Sequence, residues 1–103
     1  MENSYELHIF PSAQADMEQI FEYISVILSN PSAALDQIND FEKAFDYICA
    51  FPGSCPLINN DYVKDKSLRK LIVNNYIAFY RIKKHEIQVV RVIYGMRNYE
   101  EFL

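Results

Sequence analysis

Three strand patterns in the last third of the sequence constrain the fold most strongly. Residues 67–73, 76–83 and 86–94 are rich in Val, Ile, Phe and Tyr, which favour strands. Asn74 and Asn75 join the first two patterns, and Asn tolerates the positive φ of a two-residue hairpin turn. A three-stranded antiparallel meander is therefore predicted for this part of the chain.

This turn also predicts the register of the sheet, because a two-residue loop fixes which residues face one another. The predicted partners across it are Val73 with Tyr76, Ile72 with Ile77, Leu71 with Ala78, Lys70 with Phe79, and Arg69 with Tyr80. Across the second turn, pairing Ile82 with Ile87 puts Lys83 opposite Glu86. One face then carries Arg69, Leu71, Val73, Tyr76, Ala78, Tyr80, Ile82, Ile87, Val89, Arg91 and Ile93. The other face carries Leu68, Lys70, Ile72, Ile77, Phe79, Arg81, Gln88, Val90, Val92 and Tyr94.

Both predicted faces are largely apolar, whereas an antiparallel sheet with one solvated face alternates between apolar and polar residues. One face can pack on helices. The other face would expose a larger apolar patch than monomers usually show, made of Ile72, Ile77, Phe79, Val90 and Val92. We therefore expect a protein partner or a second copy of the chain to cover it.

The N-terminal half predicts one strand and two helices. Residues 4–10 alternate apolar and polar positions up to Pro11. Ser12 is expected to cap the first helix and Asn30 the second, which ends at Phe51-Pro52-Gly53. Each helix carries an apolar stripe at three- and four-residue spacing. The predicted fold is α+β, with an N-terminal strand, an antiparallel helix hairpin, and the meander with the helices on one sheet face.

Length and composition predict a single domain over residues 1–103 that can bury its own core. The sequence contains no apolar stretch of membrane-spanning length and no signal-peptide pattern, so we expect a cytoplasmic protein without membrane contact. Cys49 and Cys55 fit no common metal motif and are expected to be reduced. No phosphate-binding loop or metal-ligand cluster is recognisable, so no cofactor and no metal are predicted.

The charges are unevenly distributed along this chain of net charge −4. Seven of the ten Lys and Arg residues lie in residues 67–103, whereas eleven of the fourteen Asp and Glu residues precede them. One interpretation is a contact surface for an anionic partner, because a patch of one sign concentrates the opposite sign. The other is that lysines and arginines merely protect solvated strand edges.

The order of elements, together with several motifs, resembles the RelE/ParE superfamily of bacterial type II toxins. The motifs are LRK at 68–70, NNYIAFYRI at 74–82, and IQVVRVIYGMRNYEEFL at 87–103. They are similar to the family's Tyr-x-hydrophobic-x-Tyr strand and to its closing strand followed by a Gly-x-Arg turn. The segment FEYISVILSNPSAA at 21–34 resembles the ParE-like and plasmid-stabilisation members. The likeness extends over essentially the whole chain.

The resemblance implies one of two activities, since RelE-like members cleave messenger RNA on the ribosome and ParE-like members poison DNA gyrase. RNA cleavage through the 2′-OH needs a base, cations that hold the phosphate, and an acid. Lys70 and Arg97 match RelE active-site positions, but Ile77 and Leu103 stand where RelE has an arginine and its catalytic tyrosine. A nuclease site would therefore have to be built from Arg69, Lys70, Arg91, Arg97, and Tyr94 or Tyr99.

Three functional hypotheses remain open. The favoured one is a growth-inhibitory, ParE-like toxin that is not a nuclease and binds gyrase through Arg91, Arg97 and Tyr99. The alternatives are a ribosome-dependent mRNA endoribonuclease and an inactive interaction module that retains the toxin fold.

All three hypotheses imply a cognate antitoxin with a disordered, often acidic tail that folds over the toxin. Its predicted contacts are Ile72, Ile77, Phe79, Arg81 and Arg69. Both a homodimer and a toxin–antitoxin hetero-oligomer are compatible with this prediction.

Overall fold

The computed structural model describes residues 4–103, and its helices and strands follow the predicted order. The elements are β1 (Glu6–Ile9), α1 (Pro11–Glu22), a π-helical turn (Tyr23–Ile27), α2 (Pro31–Ala50), β2 (Arg69–Val73), β3 (Tyr76–Lys83) and β4 (Glu86–Tyr94). Short 3₁₀ turns lie at Pro52–Ser54 and Tyr99–Glu101. The α+β class and the element order are confirmed.

The four strands form one sheet in the order β1-β4-β3-β2. β1 runs parallel to β4, whereas β2, β3 and β4 form the antiparallel meander. A parallel pair needs a long crossover connection, and the helices α1 and α2 lie in that connection. The helices pack on one face of the sheet, where the main core contains Ala13, Met17, Phe41, Phe45, Ile48, Leu71, Val73, Ala78, Tyr80, Ile87, Val89 and Val92.

The two helices begin in different ways. α2 begins as predicted, because the side-chain oxygen of Asn30 accepts a hydrogen bond from the backbone N–H of Ala33 at 3.2 Å. The expected cap at Ser12 is wrong, since Pro11 already occupies the first position of α1. Proline has its φ preset for that position, so the helix starts earlier than predicted. Ser12 instead donates its hydroxyl hydrogen to the carbonyl oxygen of Val90 at 2.9 Å.

The register of the sheet is confirmed up to a β-bulge in β4. Every predicted pair between β2 and β3 is present, as are the pairs from Lys83–Glu86 to Tyr80–Val89. Beyond Tyr80 the register shifts by one residue, so Phe79 faces Arg91 and Tyr76 faces Tyr94. The faces predicted for Arg91, Val92, Ile93 and Tyr94 are therefore wrong, because a one-residue slip moves each side chain to the opposite face.

The second face of the sheet is covered by the chain itself. Residues 55–68 and the segment after β4 pack over it and form a smaller core of Ile58, Val63, Leu68, Ile77, Phe79 and Ile93, flanked by Val90, Tyr99, Phe102 and Leu103. Phe79 is fully buried and Ile77 is 8% exposed. The expectation of an open apolar face is therefore wrong, because the loop before β2 and the last residues supply the cover that was assigned to a partner.

Candidate functional site

An ion pair ties α1 to the end of β4. Arg91 donates from Nε and Nη2 to the two carboxylate oxygens of Asp16 at 2.7 and 2.9 Å. The backbone N–H of Val92 donates to Asp16 Oδ2 at 2.9 Å. The hydrogen bonding of Arg91 to the Asp16 carboxylate raises the pKa of Arg91 above its usual range, although partial burial opposes the shift. Arg91 thus fixes α1 to the sheet, and its charge is neutralised within the fold.

The three residues predicted to bind the target lie around the end of β4, and one of them, Arg91, belongs to this ion pair. The guanidinium groups of Arg97 and Arg91 lie 4.8 and 5.4 Å from the centroid of the Phe102 ring. The ring of Tyr99 lies 5.0 Å from that of Phe79. Arg97 is exposed and forms no ion pair with any residue in 4–103. It is therefore the cation of this group that a partner can reach.

The residues of the hypothetical nuclease site are divided by the sheet. Lys70 pairs with Phe79 and lies on the second face, whereas Arg69 pairs with Tyr80 and lies on the helix face. Arg69 donates from Nη1 to the carbonyl oxygen of Cys55 at 2.7 Å. Tyr94 is also on the helix face, with its ring 5.9 Å from that of Tyr76. Arg69 and Tyr94 are thus separated by the sheet from Lys70. Arg91 and Tyr99 share the face of Lys70, where both are neighbours of Phe79, but Arg91 is already bound to Asp16.

Of the five predicted antitoxin contacts, two are buried in this fold, and the two arginines are engaged within the chain. Ile77 and Phe79 lie in the second core, and only Ile72, at 67% exposure, projects into solvent. Arg81 forms an ion pair with Asp65 at 2.9 Å and donates from Nε to Gln88 at 2.7 Å. Asp65 also accepts hydrogen bonds from Ser67, which are the largest cause of its lowered pKa. An antitoxin that docks on the folded chain therefore needs another apolar surface.

Such a surface lies between the two helices and β1, and we call it the hairpin groove. Its volume is about 640 Å³, and its lining includes Leu7, Ile9, Met17, Phe21, Leu35, Ile38, Phe41 and Phe45. Leu7 and Leu35 remain 40% and 57% exposed. Glu18, Glu42 and Asp46 also line it and are exposed, and we call these three carboxylates its acidic rim. β1 is an edge strand of the sheet, and its Leu7 and Ile9 line the groove.

A second groove separates the end of α1 from the end of β4, and we call it the tyrosine groove. Its volume is about 830 Å³, and its lining includes Asp16, Ile20, Tyr23, Leu28, Tyr76, Arg91, Tyr94 and Arg97. Sequence reasoning did not single out Tyr23 or Tyr76. The bulge in β4 brings Tyr94 beside Tyr76, and the π-helical turn carries Tyr23 to the same groove. The alternation of apolar and polar residues in the sequence predicts neither the β-bulge nor the π-helical turn.

The part of the chain that the structure describes offers no metal centre, since it contains no group of three His, Cys, Asp or Glu side chains placed to hold an ion. Within the same residues, no helix is both long and apolar enough to cross a bilayer. Cys49 and Cys55 are free thiols.

Comparison with known proteins identifies the family. Residues 7–99 match the family model described as the ParE toxin of the type II toxin-antitoxin system parDE. No curated protein sequence matches the chain.

The chain is similar to a solved structure described as the chromosomal ParDE TA system from P. aeruginosa, with a TM-score of 0.73 and 22% identity over 89% of this chain and 97% of that one. It is also similar to a chain of the toxin-antitoxin complex RelBE2 from Mycobacterium tuberculosis, with a TM-score of 0.63 and 15% identity over 88% of this chain and 98% of that one. At these identities the two likenesses show a shared fold. Because the family match itself extends over most of the sequence, the chain belongs to the ParE toxin family of type II toxin–antitoxin systems.

Proposed function

We propose that this ParE-family chain inhibits growth by binding DNA gyrase through the surface around Arg97, and that a cognate antitoxin neutralises it. The observation that carries the proposal is the distribution of the functional side chains. Arg97 is exposed and lies over the Phe102 ring at the end of β4, whereas Arg91 is bound to Asp16, and Arg69 lies on the opposite sheet face and is bound to the Cys55 carbonyl. A binding surface needs only the exposed Arg97 and its aromatic neighbours. RNA cleavage needs an acid, a base and cations at one centre, and two of the four cations considered for it, Arg69 and Arg91, are held by contacts within the fold.

Arg97 is suited to an interface because its guanidinium is exposed and supported by an aromatic ring. Arginine is enriched among the residues that dominate binding energies, and truncating such residues costs more than about 1 kcal/mol. The Phe102 ring beneath Arg97 restricts the orientation of the guanidinium, so less conformational entropy is lost on binding.

The antitoxin is proposed to occupy the hairpin groove. The two solved structures similar to this chain are described as toxin–antitoxin systems, which supports an antitoxin partner here. An amphipathic segment can lay its apolar side on Phe21 and Ile38 and add backbone hydrogen bonds to the edge of β1. The acidic rim favours basic side chains on that segment. In this proposal the antitoxin covers the hairpin groove, and Ile77 and Phe79, which were predicted as its contacts, remain buried within the chain.

Expression of the chain alone in bacteria tests the proposed activity, with growth, DNA synthesis and protein synthesis followed over the first minutes. We expect early arrest of DNA replication while translation continues, and inhibition of purified gyrase in a supercoiling assay. The variant Arg97→Ala should weaken gyrase binding at least about fivefold. Lys84→Ala removes an exposed cation from the turn between β3 and β4 and is the matched control.

Each alternative gives a different result in this experiment. An early stop in translation with cleaved messages would support the endoribonuclease instead. Unchanged growth would support the inactive interaction module. Equal effects of Arg97→Ala and Lys84→Ala would contradict the assignment of the gyrase contact to Arg97.

A further inference from the structure

The tyrosine groove presents three hydroxyl groups without protein partners. Tyr23, Tyr76 and Tyr94 all line it, and none of their hydroxyls forms a hydrogen bond to another residue in 4–103. The rings of Tyr76 and Tyr94 lie 5.9 Å apart, and Tyr23 lines the same groove. Burial raises the pKa of Tyr76, and the electrostatic influence of Tyr23 and Tyr94 raises it further. A concave surface with a few convergent polar groups is the usual form of a binding site.

The irregular end of α1 produces this arrangement. The backbone N–H of Leu28 donates to the carbonyl oxygen of Tyr23 at 3.0 Å, five residues earlier, which is the bonding of a π-helix. Such turns occur frequently at functional sites. The turn leaves Tyr23 and Leu28 at 50% and 54% exposure, although aromatic and aliphatic side chains are usually buried.

The charges on the groove favour an anionic group. Asp16 is the one acidic residue in the described lining, and its carboxylate is occupied by Arg91 and by the backbone N–H of Val92. That pair is neutral, so Arg97 leaves the groove with a positive charge. A single free guanidinium can hold one carboxylate, whereas a nucleic-acid strand needs a row of cations along its phosphates.

The surroundings of the groove indicate a protein ligand. Ile20 and Leu28 line it. Val26 and Ile27, which precede Leu28 in sequence, are 63% and 67% exposed, and Met96, which precedes Arg97, is 83% exposed. Tyrosine and arginine beside exposed aliphatic side chains are typical of protein interfaces, where a partner removes the apolar area from water. Phosphates and sugars would leave this area uncovered.

We infer that the tyrosine groove binds an acidic segment of the protein target, with a carboxylate on Arg97 and an aliphatic side chain between Ile20 and Leu28. The inference rests on the proposed binding of gyrase and extends that interface from the end of β4 to α1. The tyrosine hydroxyls donate to backbone carbonyl oxygens of the segment. Tyr23 thereby becomes a specificity-determining residue on an element that carried no assigned role.

Affinity for purified gyrase tests the inference with the variants Tyr23→Ala and Tyr94→Ala. Each should weaken binding at least about fivefold, as expected for a tyrosine at the centre of an interface. Tyr62→Ala is the matched control, because Tyr62 is 79% exposed and does not line the groove. All three side chains are at least 45% exposed, so the variants should fold, which circular dichroism checks.

Mapping the contact tests the chemistry of the ligand. A photoreactive phenylalanine analogue replaces Tyr23, is irradiated in the gyrase–DNA complex, and should link to a gyrase segment that contains Asp or Glu beside aliphatic residues. Linking to DNA, or to a segment without an acidic residue, would overturn the inference. Wild-type affinity in both groove variants would overturn it and leave the proposed function intact. Failure of the wild-type chain to bind gyrase would overturn both.

Discussion

Tyr80 shows how one polar side chain can be buried in this core. It is fully buried, and its hydroxyl donates to the carbonyl oxygen of Pro52 at 2.7 Å. Burial raises the pKa of Tyr80 well above its usual range, and the neighbouring Cys55 contributes to the shift. The hydrogen bond thus links β3 to the turn that follows α2 and satisfies both groups away from water.

The variant Tyr80→Phe should lower the free energy of unfolding by about 1 kcal/mol at pH 7, because the Pro52 carbonyl loses its donor. Because the pKa of Tyr80 is higher in the folded chain than in the unfolded chain, its burial contributes stability below about pH 10. This contribution is lost as the pH rises further. Urea denaturation at pH 7 and above pH 10 measures both effects. The Phe variant should lose less stability on alkalinisation than the wild type, and a parallel loss in both would contradict this. Tyr62→Phe, on the exposed loop, is the control.

The two cysteines should differ in reactivity. Cys49 is 8% exposed, and burial, followed by the charge of Asp46, raises the pKa of its thiol. Since the thiolate is the reactive form, Cys49 in the variant Cys55→Ser should react with a disulfide reagent at pH 8 at least about tenfold more slowly than Cys55 in Cys49→Ser. The difference should vanish in denaturant, and equal native rates would contradict the burial of Cys49.

At the scale of elements, the β-bulge in β4 is supported from α1. Ser12 donates to the carbonyl of Val90, and Asp16 accepts from the backbone N–H of Val92, so α1 satisfies the edge of β4 where β1 has ended. The same carboxylate holds Arg91, which contacts the Phe102 ring. One acidic residue in α1 therefore fixes the bulge and the segment that covers the second sheet face.

The variant Asp16→Asn should lower the free energy of unfolding by about 2 kcal/mol, since hydrogen bonds to charged groups contribute more than neutral ones. Side chains at this ion pair are 26% and 13% exposed, so solvent screens it only in part. Glu18→Gln removes an exposed carboxylate from the same helix and should change stability by less than about 0.5 kcal/mol. Equal losses in the two variants, measured by urea denaturation, would show that the ion pair adds nothing.

These elements also show what the sequence could and could not predict. The β2–β3 register was predictable because Asn74-Asn75 is a local turn, and Asn74 does adopt φ of 57°. The β-bulge was not predictable, because the hydrogen bonds that stabilise it come from Ser12 and Asp16, more than 70 residues away in sequence. The site residues near Arg97 were found through family resemblance, whereas Tyr23 depends on a π-helical turn without a sequence pattern.

At the scale of the whole molecule, α1 separates two grooves of opposite character. The tyrosine groove on one side carries the free charge of Arg97, and the hairpin groove on the other carries Glu18, Glu42 and Asp46 on its rim. The uneven charge along the sequence thus becomes a division between two surfaces. A target and an antitoxin of different chemistry can be recognised by the two sides of one helix, so variants should separate the two interactions.

The double variant Glu42→Lys, Asp46→Lys should weaken binding of the antitoxin by about tenfold, because both changes replace attraction to basic side chains with repulsion. The loss should shrink as salt is raised, since these rim charges are exposed and screened within about 10 Å at 0.1 M. Inhibition of gyrase should be unchanged. Asp36→Lys changes an exposed carboxylate of α2 outside the groove and is the control for position, with half the charge change of the double variant. Equal weakening by Asp36→Lys would show that the effect comes from overall charge. Tighter binding of the antitoxin to the double variant would show that the antitoxin segment is acidic. Loss of gyrase inhibition together with antitoxin binding would mean that the two partners share one surface.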